Sequence, residues 1–294
     1  MKTALVYDRV NKWGGAERVL VALHEIFPEA PLYTAVYSQK KARWAKIFPK
    51  VVPSFLQKIP FTNSNHEFLG SYTPLAFESF DFGGYDLVIS VTSEAAKGII
   101  TKPETLHLCY CLTPTRYLWS AHDFYFKAPP AKFRFIPFFW QLSRLPVNYL
   151  KKWDKIAAHR PDVMLGISNA VAERINKYYG RKAEVIFPPV EIERFKAPGA
   201  NLRKENFYLV VNRLVPYKRV DLAVKAFNKL GLPLVIVGTG SEETRLKKMA
   251  KNNIRFVGEL TDDKLADYYR RCTALVFPQE EDFGIGPLEA MASG

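Results

Sequence analysis

The chain has 294 residues, which suggests two domains at about 150 residues each. Apolar residues make up 48% of it and charged residues 24%, a globular composition that excludes wholesale disorder. Lys and Arg total 42 against 29 acidic residues, so the net charge of +13 suggests nucleic acid, an anionic membrane surface or an anionic small substrate as partner. Three cysteines, no signal peptide and no apolar run of bilayer-spanning length predict a cytoplasmic protein, either dissolved or peripheral on the inner face of the membrane.

Short apolar runs alternate with helical spacing along most of the chain. Runs rich in Val, Ile and Leu predict strands buried on both faces of a sheet, at residues 4–7, 87–91, 106–111, 163–167, 185–187, 207–211, 234–237, 254–257 and 274–277. Strand–helix alternation of this kind predicts an α/β fold with parallel sheets covered by helices. The alternation pauses at a Pro- and Gly-containing stretch, so we predict a first domain at 1–195, a linker at 196–206 and a second domain at 207–294.

A basic aromatic segment interrupts the first domain. Residues 124–140 contain eight aromatics, and residues 116–160 contain nine Lys or Arg against two acids. Cations among aromatic rings are typical of the headgroup level of an anionic membrane, but a helical excursion packed on its own domain would show the same composition. No nucleic-acid-binding motif accompanies the charge, so nucleic acid is disfavoured as a partner.

Two loops after predicted strands carry residues suited to an anion. Gly14 and Gly15 lie between the first strand and a helix, where the backbone can approach a ligand closely, although paired glycines also form ordinary turns. The stretch is not GxGxxG, so the dinucleotide fingerprint is absent there. Arg213 and Lys218 follow the first strand of the second domain. Ligands bind at the carboxyl ends of such strands, so these cations could hold a diphosphate; surface charges on a loop are the alternative.

The end of the chain combines carboxylates with exposed amides. Glu281 and Glu289 flank a Gly-containing turn, and a proline after the turn predicts the start of a helix. The backbone N–H groups of Phe283, Gly284 and Ile285 would point at a bound anion. The two carboxylates would accept hydrogen bonds from sugar or ribose hydroxyls, with a solvated acidic patch as the alternative.

Together these motifs resemble glycosyltransferase family 4, the retaining nucleotide-sugar-dependent enzymes of GT-B fold, and especially its mannosyltransferase-like branch of polysaccharide and lipopolysaccharide biosynthesis. The resemblance is carried by residues 14–18, 85–90, 113–119, 185–190 and the Glu-x7-Glu tail with the upstream Arg and Lys. It implies two Rossmann-like parallel-sheet domains facing a cleft. Family members continue beyond Gly294, so the resemblance also implies a second domain that is incomplete at its C-terminus.

The resemblance implies roles for single residues as well. Arg213 and Lys218 would bind the donor diphosphate and Glu281 would lie by the transferred sugar, which makes these three the predicted catalytic residues. The predicted substrate-binding residues are Glu289 at the ribose hydroxyls, the amides of Phe283, Gly284 and Ile285 at sugar and phosphate, Val257 at the nucleobase, Gly14 and Gly15 at the donor phosphate and acceptor, and Arg116 in the 113–119 motif.

The implied reaction moves a hexose, mannose favoured, from a nucleotide diphosphosugar to a glycan or lipid-linked acceptor with retention. GDP-mannose is the favoured donor, and the resemblance implies no cofactor. No Asp-x-Asp pair occurs in the sequence, so a metal-clamped diphosphate is not indicated. Cations of the protein would then stabilise the leaving group.

One departure from the family keeps alternatives open. Relatives commonly carry a histidine directly before the Thr113-Pro114 pair, where this chain has Leu112, a side chain that cannot donate a hydrogen bond. His107 lies five residues earlier and is not taken as its substitute. The enzyme alternative is a nucleotide-sugar epimerase of the same fold, whose dedicated acids are not found. The other alternative is a binding or scaffold homologue that has lost activity.

Overall fold

The structure is a computed structural model that describes residues 1–59, 71–120, 139–196 and 204–294, with the backbone alone for residues 139–145. Most of the predicted linker (197–203) and most of the aromatic segment (121–138) lie outside the described residues. The chain divides into two compact units, Met1–Pro189 and Val190–Gly294. Within the described ranges, no helix has the length and apolar character needed to cross a membrane.

The first unit is built on a parallel sheet. Its strands are β1 (Thr3–Tyr7), β2 (Leu32–Thr34), β3 (Val51–Pro53), β4 (Leu87–Thr92), β5 (Leu106–Cys111), β6 (Val163–Gly166) and β7 (Glu184–Val185). They pair in the order β3-β2-β1-β4-β5-β6-β7. The described helices are α1 (Gly15–Ile26), α2 (Thr73–Glu78), α3 (Phe139–Ala157) and α4 (Asn169–Tyr179). Every residue of the central strands β1 and β4 is buried, as expected for a sheet covered on both faces.

The second unit repeats this plan with fewer strands. Its strands are β8 (Tyr208–Val211), β9 (Leu234–Val237), β10 (Ile254–Gly258) and β11 (Ala274–Leu275), paired in parallel in the order β10-β9-β8-β11. Its helices are α5 (Val220–Leu230), α6 (Glu243–Met249), α7 (Asp262–Arg271) and α8 (Ile285–Ala292). Val220, Ala223, Val224 and Phe227 bury one face of α5 against β8 and β9. Burying each of the larger side chains contributes about 1.5–3 kcal/mol.

All nine predicted strands are present, so the sequence prediction of parallel α/β sheets is confirmed. The prediction missed β2 and β3, which have three residues each and too little apolar sequence to stand out. β3 also ends on Pro53, and a proline in a sequence argues against a central strand because it cannot donate a backbone hydrogen bond. The structure tolerates it because β3 lies at the edge of the sheet.

Both sheets contain a point where the strand order reverses. In the first unit the chain moves outward from β1 to β3 and then returns to the other side of β1 as β4. In the second unit it moves from β8 to β10 and returns beside β8 as β11. Ligands of open α/β sheets bind at the carboxyl ends of the strands that flank such a switch point. The loops after β1 and β4, and after β8 and β11, are therefore where a site is expected.

Candidate functional site

The loops after β8 and β11 are joined at the switch point of the second sheet. The Asn212 side chain follows β8 and donates to Oε1 of Gln279 at 2.9 Å, and Nε2 of Gln279 donates back to Oδ1 of Asn212 at 3.0 Å. Gln279 is buried in the loop after β11. This reciprocal amide pair holds the two loops in one arrangement. Sequence reasoning missed both residues, although a polar side chain at a strand's carboxyl end is the signal that could have found them.

Lys218 and Glu281 form an ion pair between the same two loops. Lys218 ends a 3₁₀ turn at Pro216–Lys218, and Arg219, with a φ of 51°, then leads into α5. Lys218 Nζ contacts both carboxylate oxygens of Glu281, with 2.6 Å to Oε2. The two side chains are 13% and 19% exposed, so the pair is reachable from solvent but mostly enclosed. Two predicted catalytic residues thus meet at the expected edge.

Arg213 is the third predicted catalytic residue, and it lies on the same loop as Lys218. Its guanidinium donates to the Tyr217 hydroxyl at 2.6 Å, and Lys218 Nζ lies 5.6 Å from the centroid of the Tyr217 ring. Tyr217 therefore contacts both cations. Arg213 is exposed, so its charge is available to a ligand from solvent.

The start of α8 brings backbone amides to this edge. Gly284, with a φ of 88°, precedes Ile285, the first residue of the helix, and Phe283 to Ile285 are half-buried. The first N–H groups of a helix have no partner within it, and the helix dipole adds positive potential there. Glu289, one turn further along α8, is buried and accepts a hydrogen bond from the Tyr269 hydroxyl at 3.2 Å.

Val257 lies at a β-bulge near the carboxyl end of β10. Phe256 pairs with Ile236 and Gly258 pairs with Val237, so Val257 is the extra residue between them. Its side chain packs against the core of the second unit, which leaves its backbone as the part that a nucleobase could meet. Bulges interrupt strand pairing and are common beside binding sites.

Two glycines after β9 shape the loop that carries Arg213. A Cβ on Gly238 would lie 1.9 Å from the carbonyl oxygen of Asn212, and one on Gly240 would lie 2.3 Å from that of Leu214. Gly238 also has a φ of 122°, which strains any other residue. The loop after β9 is therefore packed directly on the backbone of the 212–214 segment.

Gly238→Ala is expected to destabilise the second unit by about 2–4 kcal/mol, because backbone strain adds to overpacking. Gly231→Ala is the matched control: Gly231 has a φ of 71° but no atom within 4 Å of its Cβ position. The control should cost only about 1 kcal/mol, the left-handed penalty alone. Denaturant unfolding followed by far-UV circular dichroism measures both. Equal losses for the two variants would contradict the close packing at Gly238.

Gly14 and Gly15 lie in the first unit at the start of α1. Gly14 has an extended backbone and caps the helix, which begins at Gly15. A Cβ on Gly14 would lie 3.1 Å from Oε2 of Glu17, a buried carboxylate that accepts from the Tyr7 hydroxyl at 2.6 Å. Gly14 therefore has a fixed polar group beside it, and that group is hydrogen-bonded to Tyr7, the last residue of β1.

Arg116 lies on a loop that a buried carboxylate holds in place. Asp154 of α3 accepts hydrogen bonds from four side chains: Lys97 at 2.5 Å, Trp119 at 2.7 Å, and Thr115 and Tyr179 at 2.8 Å each. Thr115 and Trp119 belong to the loop after β5, so Asp154 fixes the segment on either side of Arg116. Arg116 itself is half-buried.

The structure separates Leu112 from His107. Leu112 directly follows β5 and is half-buried at its carboxyl end, whereas His107 is fully buried near the start of the strand. His107 Nε2 pairs with the Ser90 hydroxyl at 2.8 Å, and burial lowers its pKa to about 3. His107 is therefore a neutral core residue, at the opposite end of β5 from Leu112.

The predicted site residues fall into two groups. Eight of them lie in the second unit: Arg213, Lys218, Val257, Glu281, Phe283, Gly284, Ile285 and Glu289. Gly14, Gly15 and Arg116 lie in the first. A search of the described ranges for three or more His, Cys, Asp or Glu placed to hold a metal ion found no such group.

Comparison with known proteins gives these features a family context. Residues 191–294 match the family model described as Glycosyl transferases group 1. The O-antigen chain mannosyltransferase RfbU of Salmonella typhimurium is 28% identical over 169 residues, which is 53% of this chain and 47% of that protein. The uncharacterized glycosyltransferase MJ1178 of Methanocaldococcus jannaschii is 28% identical over 143 residues, 47% of this chain and 40% of that protein. The chain thus spans less than half the length of these curated relatives.

Solved structures share the fold across the whole chain. Anabaena Alr3699/HepE in complex with UDP aligns with 100% of this chain and 79% of that one, at a TM-score of 0.67 and 17% identity. TarM aligns with 100% of this chain and 83% of its own, with a TM-score of 0.63 and 12% sequence identity. The predicted fold class, two Rossmann-like parallel-sheet domains of GT-B type, is confirmed. Residues 191–294 are thus similar to glycosyl transferases group 1, and the chain has the GT-B fold.

Proposed function

We propose that the protein transfers a hexose from a nucleotide diphosphosugar to a hydroxyl of a glycan or lipid-linked acceptor. The Lys218–Glu281 ion pair at the switch point of the second sheet is the observation that carries this proposal. With Arg213 and the start of α8, this edge offers cations and amides to a diphosphate and a carboxylate to sugar hydroxyls. The match of residues 191–294 to group 1 glycosyl transferases supports it.

Departure of the nucleoside diphosphate is the step that this arrangement would assist. As the bond between the sugar's anomeric carbon and the diphosphate oxygen breaks, negative charge grows on the diphosphate. Lys218, Arg213 and the amides at the start of α8 provide fixed positive potential there. Donor binding would draw the Lys218 ammonium from Glu281 to phosphate, which would leave the Glu281 carboxylate to accept hydrogen bonds from the sugar.

Mannose is the favoured sugar, GDP-mannose the favoured donor and retention the favoured outcome. RfbU and mannosyltransferase C of Escherichia coli, both named O-antigen chain mannosyltransferases, support this choice of sugar. A titration of GDP-mannose, UDP-glucose and UDP-N-acetylglucosamine into the chain identifies the donor, and proton NMR of the transfer product gives the anomeric configuration. Tightest binding of GDP-mannose with an α-linked product is expected. Preference for a UDP-sugar would overturn the donor, and a β-linked product would overturn retention.

A non-catalytic nucleotide-sugar-binding homologue is the second candidate function. Leu112 favours it, because this half-buried aliphatic side chain stands at the carboxyl end of β5, where the resemblance to family 4 implies a histidine, and it cannot donate a hydrogen bond. The two candidates differ in turnover. Release of nucleoside diphosphate that depends on an added glycan acceptor supports the transferase, whereas donor binding without release supports the binding protein.

We also propose that α3 rests on the inner surface of an anionic membrane. Tyr149 and Ile156 are 52% and 63% exposed, and Lys152 and Lys155 lie exposed beside them on the same helix. An exposed stripe of aromatic, aliphatic and Lys side chains suits the headgroup level. Along the sequence, α3 begins within the basic aromatic segment at residues 124–140.

Vesicle flotation tests the membrane contact. Flotation with phosphatidylglycerol vesicles at low salt, and release at high salt, are expected because surface electrostatics are screened by salt. The variant Lys152→Glu/Lys155→Glu should stay at the bottom of the gradient, while Lys225→Glu/Lys229→Glu, on α5 of the second unit, should float like the wild type. Flotation of both variants alike would contradict a contact through α3.

A further inference from the structure

Two side-chain links join the loops that flank the switch point of the second sheet, and they differ in charge. The ion pair between Lys218 and Glu281 connects the loop after β8 to the loop after β11. The amide pair between Asn212 and Gln279 connects the same two loops through hydrogen bonds of 2.9 and 3.0 Å. An anionic ligand competes for the ammonium of the ion pair, whereas the amide pair is neutral and holds no charge for it to compete for.

The loop after β8 is anchored to β9 by its own backbone. The Asn212 N–H donates to the Val237 carbonyl oxygen at 3.0 Å, and the Leu214 N–H donates to the Thr239 carbonyl oxygen at 2.9 Å. Arg213 lies between these two anchored residues. Its backbone therefore keeps its place relative to β9 whatever happens on the β11 side.

The loop after β11 has a shorter backbone connection to the sheet. β11 pairs with β8 through two residues, and the N–H of Val276, directly after the strand, donates to the Leu209 carbonyl oxygen at 2.7 Å. Glu281 lies five residues beyond Val276. Gln279 lies between them and is only 8% exposed, so its hydrogen bonds with Asn212 are shielded from bulk water. The amide pair thus ties this loop to the anchored one two residues before Glu281.

The two links respond differently to a diphosphate. When the Lys218 ammonium moves from Glu281 to a phosphate, it exchanges one anionic partner for another, so its charge remains paired. The Gln279 amide gains no comparable partner if it leaves Asn212. A buried amide without its hydrogen bonds is unfavourable, because its donors and acceptor have lost both water and protein partners. The amide pair should therefore persist while the ion pair opens.

We propose that Asn212 and Gln279 are positioning residues of the transfer reaction, which hold the loop of Glu281 against the loop of Arg213 after Lys218 has left Glu281 for the donor. The ion pair is then the exchangeable link and the amide pair the lasting one. The role in transfer rests on the proposed function, whereas the difference between the two links is a property of the chain without ligand.

Hydrogen exchange of the chain without ligand tests the difference between the links. The Val276 amide is the reporter, because its hydrogen bond to Leu209 breaks when the loop after β11 lifts from β8. Asn212→Ala removes the amide pair and should speed Val276 exchange about tenfold, the effect of losing a net hydrogen bond or two. Lys218→Ala removes the ion pair and should leave Val276 exchange within about twofold of the wild type.

Asn253→Ala is the matched control. Asn253 also makes two side-chain hydrogen bonds in the second unit, donating to the carbonyl oxygens of Phe227 and Leu232 at 3.0 and 2.7 Å. It is half-buried and directly precedes β10, at the amino end of the sheet, away from the switch point. The control should unfold at a lower denaturant concentration than the wild type but keep wild-type exchange at Val276 and wild-type kcat.

Steady-state kinetics with GDP-mannose tests the role in transfer. Asn212→Ala and Gln279→Ala should each lower kcat about 10–10²-fold, because groups around the reacting sugar lose their alignment. The KM for donor should change less than about threefold, since Arg213 and Lys218 stay on the loop anchored to β9. The double variant should be no slower than the slower single variant, as expected of two residues that act as one unit. If one single variant does not fold, the other replaces it.

The outcomes separate this inference from the proposed function. Wild-type Val276 exchange in Asn212→Ala, equal acceleration in Lys218→Ala, or equal acceleration in Asn253→Ala overturns the lasting role of the amide pair. A loss of activity confined to KM, or losses that add in the double variant, overturns the positioning role. A wild-type chain that neither binds a nucleotide-sugar nor releases nucleoside diphosphate overturns the proposed function and the role in transfer, while Val276 exchange still decides between the links.

Discussion

Replacing Lys218 with alanine is expected to lower kcat/KM for sugar transfer by about 10²–10³-fold, the usual cost of losing one preorganised charge-stabilising group. The substitution removes a cation from the place where negative charge grows. It also leaves the Glu281 carboxylate without the partner that now holds both of its oxygens. An uncompensated carboxylate repels the diphosphate, so the KM for donor should rise while kcat falls. Steady-state kinetics with GDP-mannose measures both parameters.

Lys225→Ala is the matched control for this prediction. Lys225 is also a cation of the second unit paired with an acid, Asp221, but it is 60% exposed on α5. Its removal should leave kcat/KM within about twofold of the wild type, because exposed ion pairs contribute little. A Lys218→Ala enzyme that is as active as Lys225→Ala would show that Lys218 does not hold the diphosphate.

Asp154→Ala is expected to lower the free energy of unfolding of the first unit by about 3–5 kcal/mol, as when one partner of a buried ion pair is removed. Lys97 is 2% exposed, and burial alone would lower the pKa of its ammonium group. The Asp154 carboxylate outweighs that effect and holds the pKa of Lys97 above its ordinary value. Without Asp154 the ammonium must stay charged and unpaired in the core or lose its proton. Thr115, Trp119 and Tyr179 would lose their shared acceptor at the same time.

Tryptophan fluorescence isolates this effect. All five tryptophans, Trp13, Trp44, Trp119, Trp140 and Trp153, lie within the first unit, so the fluorescence change on denaturation follows that unit alone. Glu104→Ala, which removes an exposed acid from the same unit, should change the unfolding free energy by less than about 0.5 kcal/mol. Similar midpoints for the two variants would contradict a stabilising role for the Asp154 network.

The sequence predicted the architecture well because burial on both faces leaves a strong local signal. β9 is an uninterrupted apolar run, β4 is apolar except for Ser90 and its last residue Thr92, and both strands are fully buried. β2 and β3 were missed because a strand of three residues is too short to show a long apolar run or an alternation of apolar and polar residues. β2 is placed by its pairing with β1 and β3 by its pairing with β2, and both pairings join segments that are separated in the chain.

The contacts of the candidate site could be predicted only in part. The sequence placed Lys218 and Glu281 at strand ends, since each follows an apolar run, but the two are 63 residues apart and nothing local indicates that they meet. The first unit contains an ion pair between Arg9, after β1, and Glu94, after β4; these residues are 85 apart and escaped notice for the same reason. The reversal of strand order brings each pair together, and that reversal is a property of the sheet. Strand composition alone does not contain it.

The burial of Glu289 is a further feature that the sequence motif did not predict. The tail motif placed two carboxylates with seven residues between them and suggested similar hydroxyl-binding roles for both. In the structure Glu281 pairs with a cation at the sheet edge, whereas Glu289 lies on the inward face of α8 beside Tyr269. The difference arises because α8 begins between them at Ile285 and turns Glu289 toward α7.

Hydrogen exchange with and without GDP-mannose tests the central claim most directly, because it locates the nucleotide-sugar on the chain. We expect protection of backbone amides in residues 212–219 and 279–286, the loops that flank the switch point of the second sheet, and loss of that protection in Lys218→Ala. Donor binding that protects other segments and leaves these two loops unchanged would contradict a donor site built on Lys218 and Glu281.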